Sequence, residues 1–347
     1  MTQSKELIRE YKIGDEVQIL KLFKEIFRVH RSIEHWRWKF MDHIKGQGWI
    51  TLAESNRNII AQYCVMRNHL NFMGREVVAA QSCDTMVKSD QRGKGWFTKL
   101  AKRNYSHASA NGVKTIFGFP NRESYPGFMR NLAWYRIVNL KYFYFRMGFK
   151  KIFGTSIDRK LKPFYSISNK VKYFAELSRQ QQDIRIVVSS NLSDSLDFML
   201  KEALNYEVLS IWKDLRYLRW RYENHPDYRY NFHILSCRGQ PKCLAVCRDC
   251  GDSIAICELI HRTKNIPQSI LLLRHMLYYY HNSNAQKIEF IGYDNGFYDA
   301  VFSNIGFKIE PSSNFIFGGL VFNDMRLEKF FPFPQNWTIT YGDTDVI

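Results

Sequence analysis

The sequence has no apolar run near the ~18 residues a membrane-crossing helix needs, so no span is expected. Its start, MTQSKELIREYKIGDE, lacks the apolar core of a signal peptide, and the expected location is the cytoplasm. The Gly-Lys-Ser/Thr ending of a nucleotide triphosphate loop is missing. So is the Gly-x-Gly-x-x-Gly of a dinucleotide site. The matched Cys/His pairs of a zinc site are missing too. Cys243, Cys247, Cys250 and Cys257 do cluster, but Cys243–Arg248 has the pattern of a strand. Asp249-Cys250-Gly251-Asp252 has that of a hairpin turn, and Ser253–Cys257 that of the return strand. No metal is expected, and the seven cysteines are expected to be reduced.

What is abundant is aromatic residues and positive charge. With 26 Phe, 20 Tyr and 8 Trp, the chain can bury large cores, which excludes disorder for most of it. Its 347 residues suggest two domains at roughly 150 residues each. The formal charge of +17 suits an anionic partner, whether nucleic acid, an acidic surface or a phosphorylated cofactor. It suits a solvated basic surface equally well.

A faint duplication runs through the chain. Trp36-Arg37-Trp38-Lys39-Phe40 has a counterpart in Leu218-Arg219-Trp220-Arg221-Tyr222, 182 residues later. A strand hairpin follows each, at Gly48–Arg67 and at Phe232–Arg248. Tyr63, Val65 and Arg67 align with Leu244, Val246 and Arg248 at an offset of 181. The pattern implies two copies of one α/β unit. Copy one begins with helices over Leu20–Val29 and His35–Met41, followed by the hairpin and a strand within Gly74–Val87. An amphipathic helix over Trp96–Ala108 is expected next, then a strand over Lys114–Phe119 and a short helix over Ser124–Asn131. The segment 151–182 connects the copies, with a helix expected inside it.

The chemical centre is the loop Lys88–Gly95, between the third strand and the amphipathic helix. Glycines let the backbone turn tightly and approach a ligand. The first amides of a helix lack internal partners, and with the helix dipole they make a site for phosphate oxygens. Arg92 and Lys94 add charge. The loop therefore serves either as an anion site at a helix start or as a tight turn with solvated cations.

Val87-Lys-Ser-Asp-Gln91-Arg92-Gly93-Lys94-Gly95 resembles the acyl-CoA loop of the GNAT N-acetyltransferase superfamily, Arg/Gln-x-x-Gly-x-Gly/Ala after a strand. Arg92 takes its first position and Gly95 its central glycine. Phe97 departs from the pattern, standing where Gly or Ala is usual. The resemblance covers roughly residues 5–150 and implies an α/β fold of tandem GNAT-like domains. Each would be a mixed, mostly antiparallel twisted sheet flanked by helices. It implies a GNAT domain over 1–150, the connecting segment 151–182, and a degenerate domain over 183–347 similar to tandem proteins of sugar and polysaccharide biosynthesis. The second copy lacks the loop: His261–Pro267 has no glycine, and Pro267 removes a backbone donor.

Site roles follow from the same resemblance. The backbone of Met86 and Val87 would pair with the pantetheine arm of acetyl-CoA. Amides of Arg92, Gly93, Lys94, Gly95 and Trp96 would hold the pyrophosphate. Asn121 would lie near the cofactor arm or cap the turn after Pro120. Asp84 would assist deprotonation of the amine through water or hydrogen-bond the strand end. The tyrosine acid common in the family falls near Phe128 or Met129, which cannot donate a proton, so Tyr125 is the nearest phenol. The reaction implied is acetyl transfer to a primary amine on a small molecule, an amino sugar or nucleotide-linked sugar. Trp38 and Trp220 would stack on that sugar or anchor cores. A non-catalytic GNAT-like scaffold, an aminoacyl-transfer relative and a nucleic-acid-binding protein are the alternatives. The last would bind in a salt-sensitive way, though no nucleic-acid motif is recognisable.

Overall fold

The computed structural model describes residues 6–147, 168–178 and 183–345. It is a mixed α/β structure, mostly antiparallel, and parts into two compact units. The first comprises the chain up to Leu70, Glu76–Val138 and Ser313–Phe333. The second comprises Asn71–Arg75, Asn139–Ser312 and the chain from Pro334 on. The division therefore differs from a cut at residue 150. The first unit draws the later part of a strand from Ser313 on, and the second draws most of one that begins before residue 150. Most of the connection expected at 151–182 lies outside the described residues; 168–178 is helical.

In the first unit, β1 (Glu6–Glu10) precedes α1 (Glu16–Phe27) and α2 (Ile33–Phe40). Strands β2 (Trp49–Ser55), β3 (Asn58–Phe72) and β4 (Arg75–Val87) follow. Then come α3 (Trp96–Ala110), β5 (Thr115–Gly118) and α4 (Tyr125–Leu132). Strand β6 (Tyr135–Arg146) leads into the second unit. The β2–β3 turn rests on Asn56 and Arg57, both at positive φ (50° and 63°), the type I′ geometry that matches strand twist. Strands β4 and β5 run parallel from Ala79/Thr115 to Ser82/Gly118. The other edge of β5 pairs antiparallel with Gly318–Val321 of β13 (Lys308–Val321). Helix α3 buries Trp96, Leu100, Ala101, Asn104, Tyr105 and Ala108 against a core of Tyr63, Ile116, Phe128 and Trp134. Buried Asn104 donates to the carbonyl of Trp49 at 2.8 Å, tying the helix to the sheet.

The second unit holds α5 (168–178), β7 (Ile184–Ser189), α6 (Asp197–Tyr206), β8 (Leu209–Ile211) and α7 (Leu215–Leu218). It continues with β9 (Asn231–Cys237), β10 (Gln240–Asp249), β11 (Ser253–His261), α8 (Ile266–Tyr279), β12 (Lys287–Tyr293) and α9 (Phe297–Ile305). The short helix α10 (Met325–Glu328) returns to the first unit, and β14 (Ile339–Thr340) lies in the second. The β9–β10 turn repeats the positive-φ pair at Arg238 and Gly239. Cys243 and Cys247 are buried in β10 and Cys257 in β11, with Cys250 exposed between the strands, so the cysteine cluster is a strand–turn–strand. Strands β11 and β12 run parallel, and the other edge of β12 pairs with β6. The stripe Ile270, Leu271, Leu273, Met276 and Leu277 of α8 is buried in the core. Trp38 and Trp220 are both buried, which makes them core anchors. Among the described residues no helix is long and apolar enough to cross a membrane.

Candidate active site

Parallel strands that pair for only part of their length leave a wedge. The β4–β5 pairing stops at Ser82 and Gly118, yet β4 continues to Val87. Its far end is irregular: Asp84 sits at φ 46°, in the left-handed region a non-glycine residue enters only when held there. Side chains hold it. Gln62 donates to the carbonyl of Asp84 at 3.0 Å, and the Cys64 thiol donates to that of Cys83 at 3.0 Å. These two bonds satisfy carbonyls that a regular ladder would use. Met86 is buried, and Val87 packs on the edge of the core.

Beyond Val87 the chain makes a single 3₁₀ turn, Ser89–Gln91, and enters α3 at Gly95. Gly93 and Gly95 have φ of 80° and 78°, which explains glycine at both. A β-carbon on Gly93 would meet nothing within 4 Å; on Gly95 it would meet only the Lys99 side chain, at 3.8 Å. Residues 92–95 are exposed, and no side chain but that of Lys99 comes near the β-carbon positions of Gly93 and Gly95. Among the described residues, the amides of Gly93, Lys94 and Gly95 have no acceptor. They stand at the start of a 15-residue helix, where the dipole adds positive potential. The Lys94 ammonium donates to Gln91 at 2.8 Å, and Lys99 lies 4.9 Å from the centre of the Trp96 ring. Trp96 is buried, so at this position only its backbone amide is available to a ligand.

Phe97, the departure from the motif, points into the core. Its ring lies edge-on to Phe128 (5.1 Å) and to Tyr63 (5.9 Å). Gly127 makes the room: a β-carbon there would come 2.9 Å from the Phe97 ring. Phe128 is itself core, packed on Trp134 at 4.3 Å.

Asp84 is buried and ion-paired with Arg31, which precedes α2, and with Lys39 of α2 at 3.3 Å. Burial favours the neutral acid. The charges of Arg31 and then Lys39 outweigh it, and the pKa falls to about 2. A carboxylate this weakly basic is a poor proton acceptor near neutrality. Tyr125 is half-buried at the start of α4, with the Arg136 guanidinium 5.8 Å from its ring centre. Asn121 is exposed and caps the α4 turn: its Oδ1 accepts from the amides of Glu123 (3.1 Å) and Ser124 (2.9 Å). The structure thus gives Asn121 the capping geometry. Arg31, Lys39, Gln62 and Cys64 hold the far end of β4; of these only Lys39 lies in a motif the sequence shows, Trp36–Phe40. Among the described residues no group of His, Cys, Asp and Glu is placed to hold a metal ion.

The family model described as an acetyltransferase (GNAT) domain matches residues 7–137. Over that range the chain is similar to a GNAT acetyltransferase domain. Its helices α1 to α4, its strand wedge and the 88–95 loop all fall within the matched range. Solved structures share the wider fold. A probable N-acyltransferase of unknown function from Enterococcus faecalis V583 is 12% identical with a TM-score of 0.64. The alignment covers 92% of this chain and 73% of that one. A GCN5-related N-acetyltransferase from Anabaena variabilis is 7% identical with a TM-score of 0.63, covering 91% and 73%. Another from Kribbella flavida is 10% identical with a TM-score of 0.59, covering 92% and 71%. No curated protein matches the sequence.

Proposed function

We propose that the GNAT domain binds acetyl-CoA at the 88–96 loop and transfers its acetyl group to a primary amine, with an amino sugar or nucleotide-linked sugar as the acceptor. The observation that carries the donor half is the row of acceptor-free amides at Gly93–Gly95, exposed at a helix start. In this reading those amides, with that of Trp96 and the loop at Arg92, take the diphosphate. The free edge of β4 at Met86 and Val87 takes the pantetheine arm. The sugar half rests on the family resemblance alone. The reading of the chain as two GNAT-like copies, the second without a donor loop, belongs to the same proposal.

The bound donor supplies an activated thioester; the chain's part is positioning. Holding amine and thioester together supplies much of the acceleration on its own. Asp84, with a pKa near 2, acts by fixing Arg31 and Lys39 at the acceptor side of the wedge. Tyr125 is the phenol assigned to protonate the leaving thiolate. Asn121 contributes by shaping the turn before α4.

Calorimetry with acetyl-CoA tests the donor site. The native chain should bind, and Gly95→Asp should not, since a carboxylate would sit beside the phosphates. The space at Gly95 admits a side chain, but its φ of 78° strains any residue other than glycine, so Gly95→Ala is the control: it carries the same strain without the charge and should keep the binding that Gly95→Asp loses. Equal heats from the native and Gly95→Asp proteins would overturn the assignment. Release of free thiol with a panel of amino sugars then separates an enzyme from a GNAT-like scaffold that binds donor without turnover.

A further inference from the structure

We propose that residues 338–344 are a built-in peptide ligand of the second unit, occupying there the counterparts of the wedge and ion-pair site that the first unit uses for its substrates. The inference rests on the GNAT reading of the first unit. Its evidence lies in the second.

The two units carry the same constellation. Arg31 directly precedes Ser32, whose hydroxyl caps α2 by accepting from the His35 amide at 3.0 Å. Lys213, 182 residues later, directly precedes Asp214, whose carboxylate caps α7 by accepting from the Tyr217 amide at 2.7 Å. Lys39 and Arg221 stand at the same 182-residue offset. Asp84 lies three residues before the end of β4, and Glu258 lies three before the end of β11. Each acid is buried, and each pairs with the cation that precedes its helix cap: Asp84 with Arg31, and Glu258 with Lys213 at 2.7 Å.

What lies in the site differs. In the first unit, β4 runs on past Ser82 with no described strand on that edge. In the second, the β11–β12 pairing likewise stops at Ile256/Phe290, but β14 takes over the vacated edge of β12. Thr340 pairs with Gly292 and Ile339 with Tyr293. The same segment then satisfies the charged groups one by one. The Thr340 hydroxyl donates to Glu258 (2.7 Å) and accepts from Lys213 (2.6 Å). The Asp343 carboxylate pairs with Lys213 at 2.7 Å. Arg221 donates to the carbonyls of Gly342 (3.4 Å) and Thr344 (2.9 Å). A β-carbon on Gly342 would fall 1.9 Å from the Tyr222 hydroxyl and 2.4 Å from Glu258, so only glycine admits this approach.

A strap that merely covered a core would do so with apolar side chains. This one presents a hydroxyl, a carboxylate and two carbonyls to an acid and two cations, the complementarity expected of a ligand. The second unit is thus a self-liganded copy. The ligand class it accepts is a peptide that enters as a two-residue strand and closes in a 3₁₀ turn at Tyr341–Asp343, with the sequence Thr-Ile-Thr-Tyr-Gly-Asp-Thr.

Hydrogen exchange on the full chain, read by mass spectrometry, tests this. In the native protein the 338–344 amides should exchange as slowly as those of β12. Gly342→Ala should expel the segment, speeding exchange there and at 291–293 at least 100-fold. A synthetic peptide of residues 338–344 should then restore slow exchange at 291–293, and it should do nothing to the native chain. Fast exchange of 338–344 in the native protein, or a peptide that fails to protect the variant, overturns the proposal. If Gly342→Ala unfolds the whole second unit, Thr340→Val and Asp343→Asn decide, since neither adds volume. Each should speed 338–344 at least 10-fold while β9 and β10 stay protected; unchanged exchange refutes the idea. Added acetyl-CoA should slow residues 88–97 in native and variant chains alike. Loss of that effect alone would count against the donor site and leave the peptide ligand standing.

Discussion

Asp84 is the residue on which the far end of β4 turns. Its pKa, about 2, lies below the ordinary value of 3.8. The ion pairs therefore contribute their full stability above pH ~4, and the contribution is lost as the pH falls through 2. Replacing the group with a neutral amide removes a carboxylate that two buried cations share. Asp84→Asn should cost about 3 kcal/mol, the scale for breaking a buried pair, seen as a lower urea midpoint at unchanged slope. Asp84→Glu should recover most of that, since it restores the carboxylate the two cations share. If Asp84 positions rather than accepts a proton, Asp84→Asn should lower kcat/KM without moving the acid limb of its pH profile. A displaced limb would restore the general-base role.

At the level of elements, Phe97 and Gly127 are one packing decision shared by α3 and α4. Gly127→Ala should force the Phe97 ring aside and cost about 1–3 kcal/mol, the range for overpacking. A thermal melt unchanged from the native one would show that the ring has room to move. Most of these elements were legible in the sequence because their signals are local. The hairpins within 48–67 and 232–248, the α3 helix, and the loop between β4 and α3 all fall within a few residues of where the pattern puts them. Cys243–Cys257 read correctly as a hairpin for the same reason. What the sequence hid is long-range. Nothing near Asp84 announces Arg31, 53 residues earlier, and nothing in β5 announces that its partner is β13, some 200 residues later. The amides that Asn121 caps could not be named from its neighbours alone.

The exchange of strands decides how the whole chain behaves when cut. Residues 1–150 lack Ser313–Phe333, so β5 would lose its antiparallel partner and expose a hydrogen-bonding edge. That fragment should aggregate or fail to fold when expressed alone, and a monomeric, cooperatively melting fragment would show that β13 is dispensable. Acid should separate the units in the intact chain. In the second unit, burial lowers the pKa of His233 and His261 to about 3 and of His275 to about 4. All three are neutral in the fold and titrate near 6.5 when unfolded. Their contribution is complete above pH 6.5 and is lost as the pH falls toward 3. At the steepest point three such protons give about 4 kcal/mol per pH unit. In the first unit burial also lowers His69, but that ring is half-buried and paired with Glu76, and the Asp84 ion pairs hold until the pH is below 3.8. Between pH 6 and 4 the second unit should therefore loosen first. Exchange measured across β9–β12 should rise in that interval while β2–β4 stays protected; coincident loss, or loss of β2–β4 first, would mean that the buried histidines do not set the acid limit.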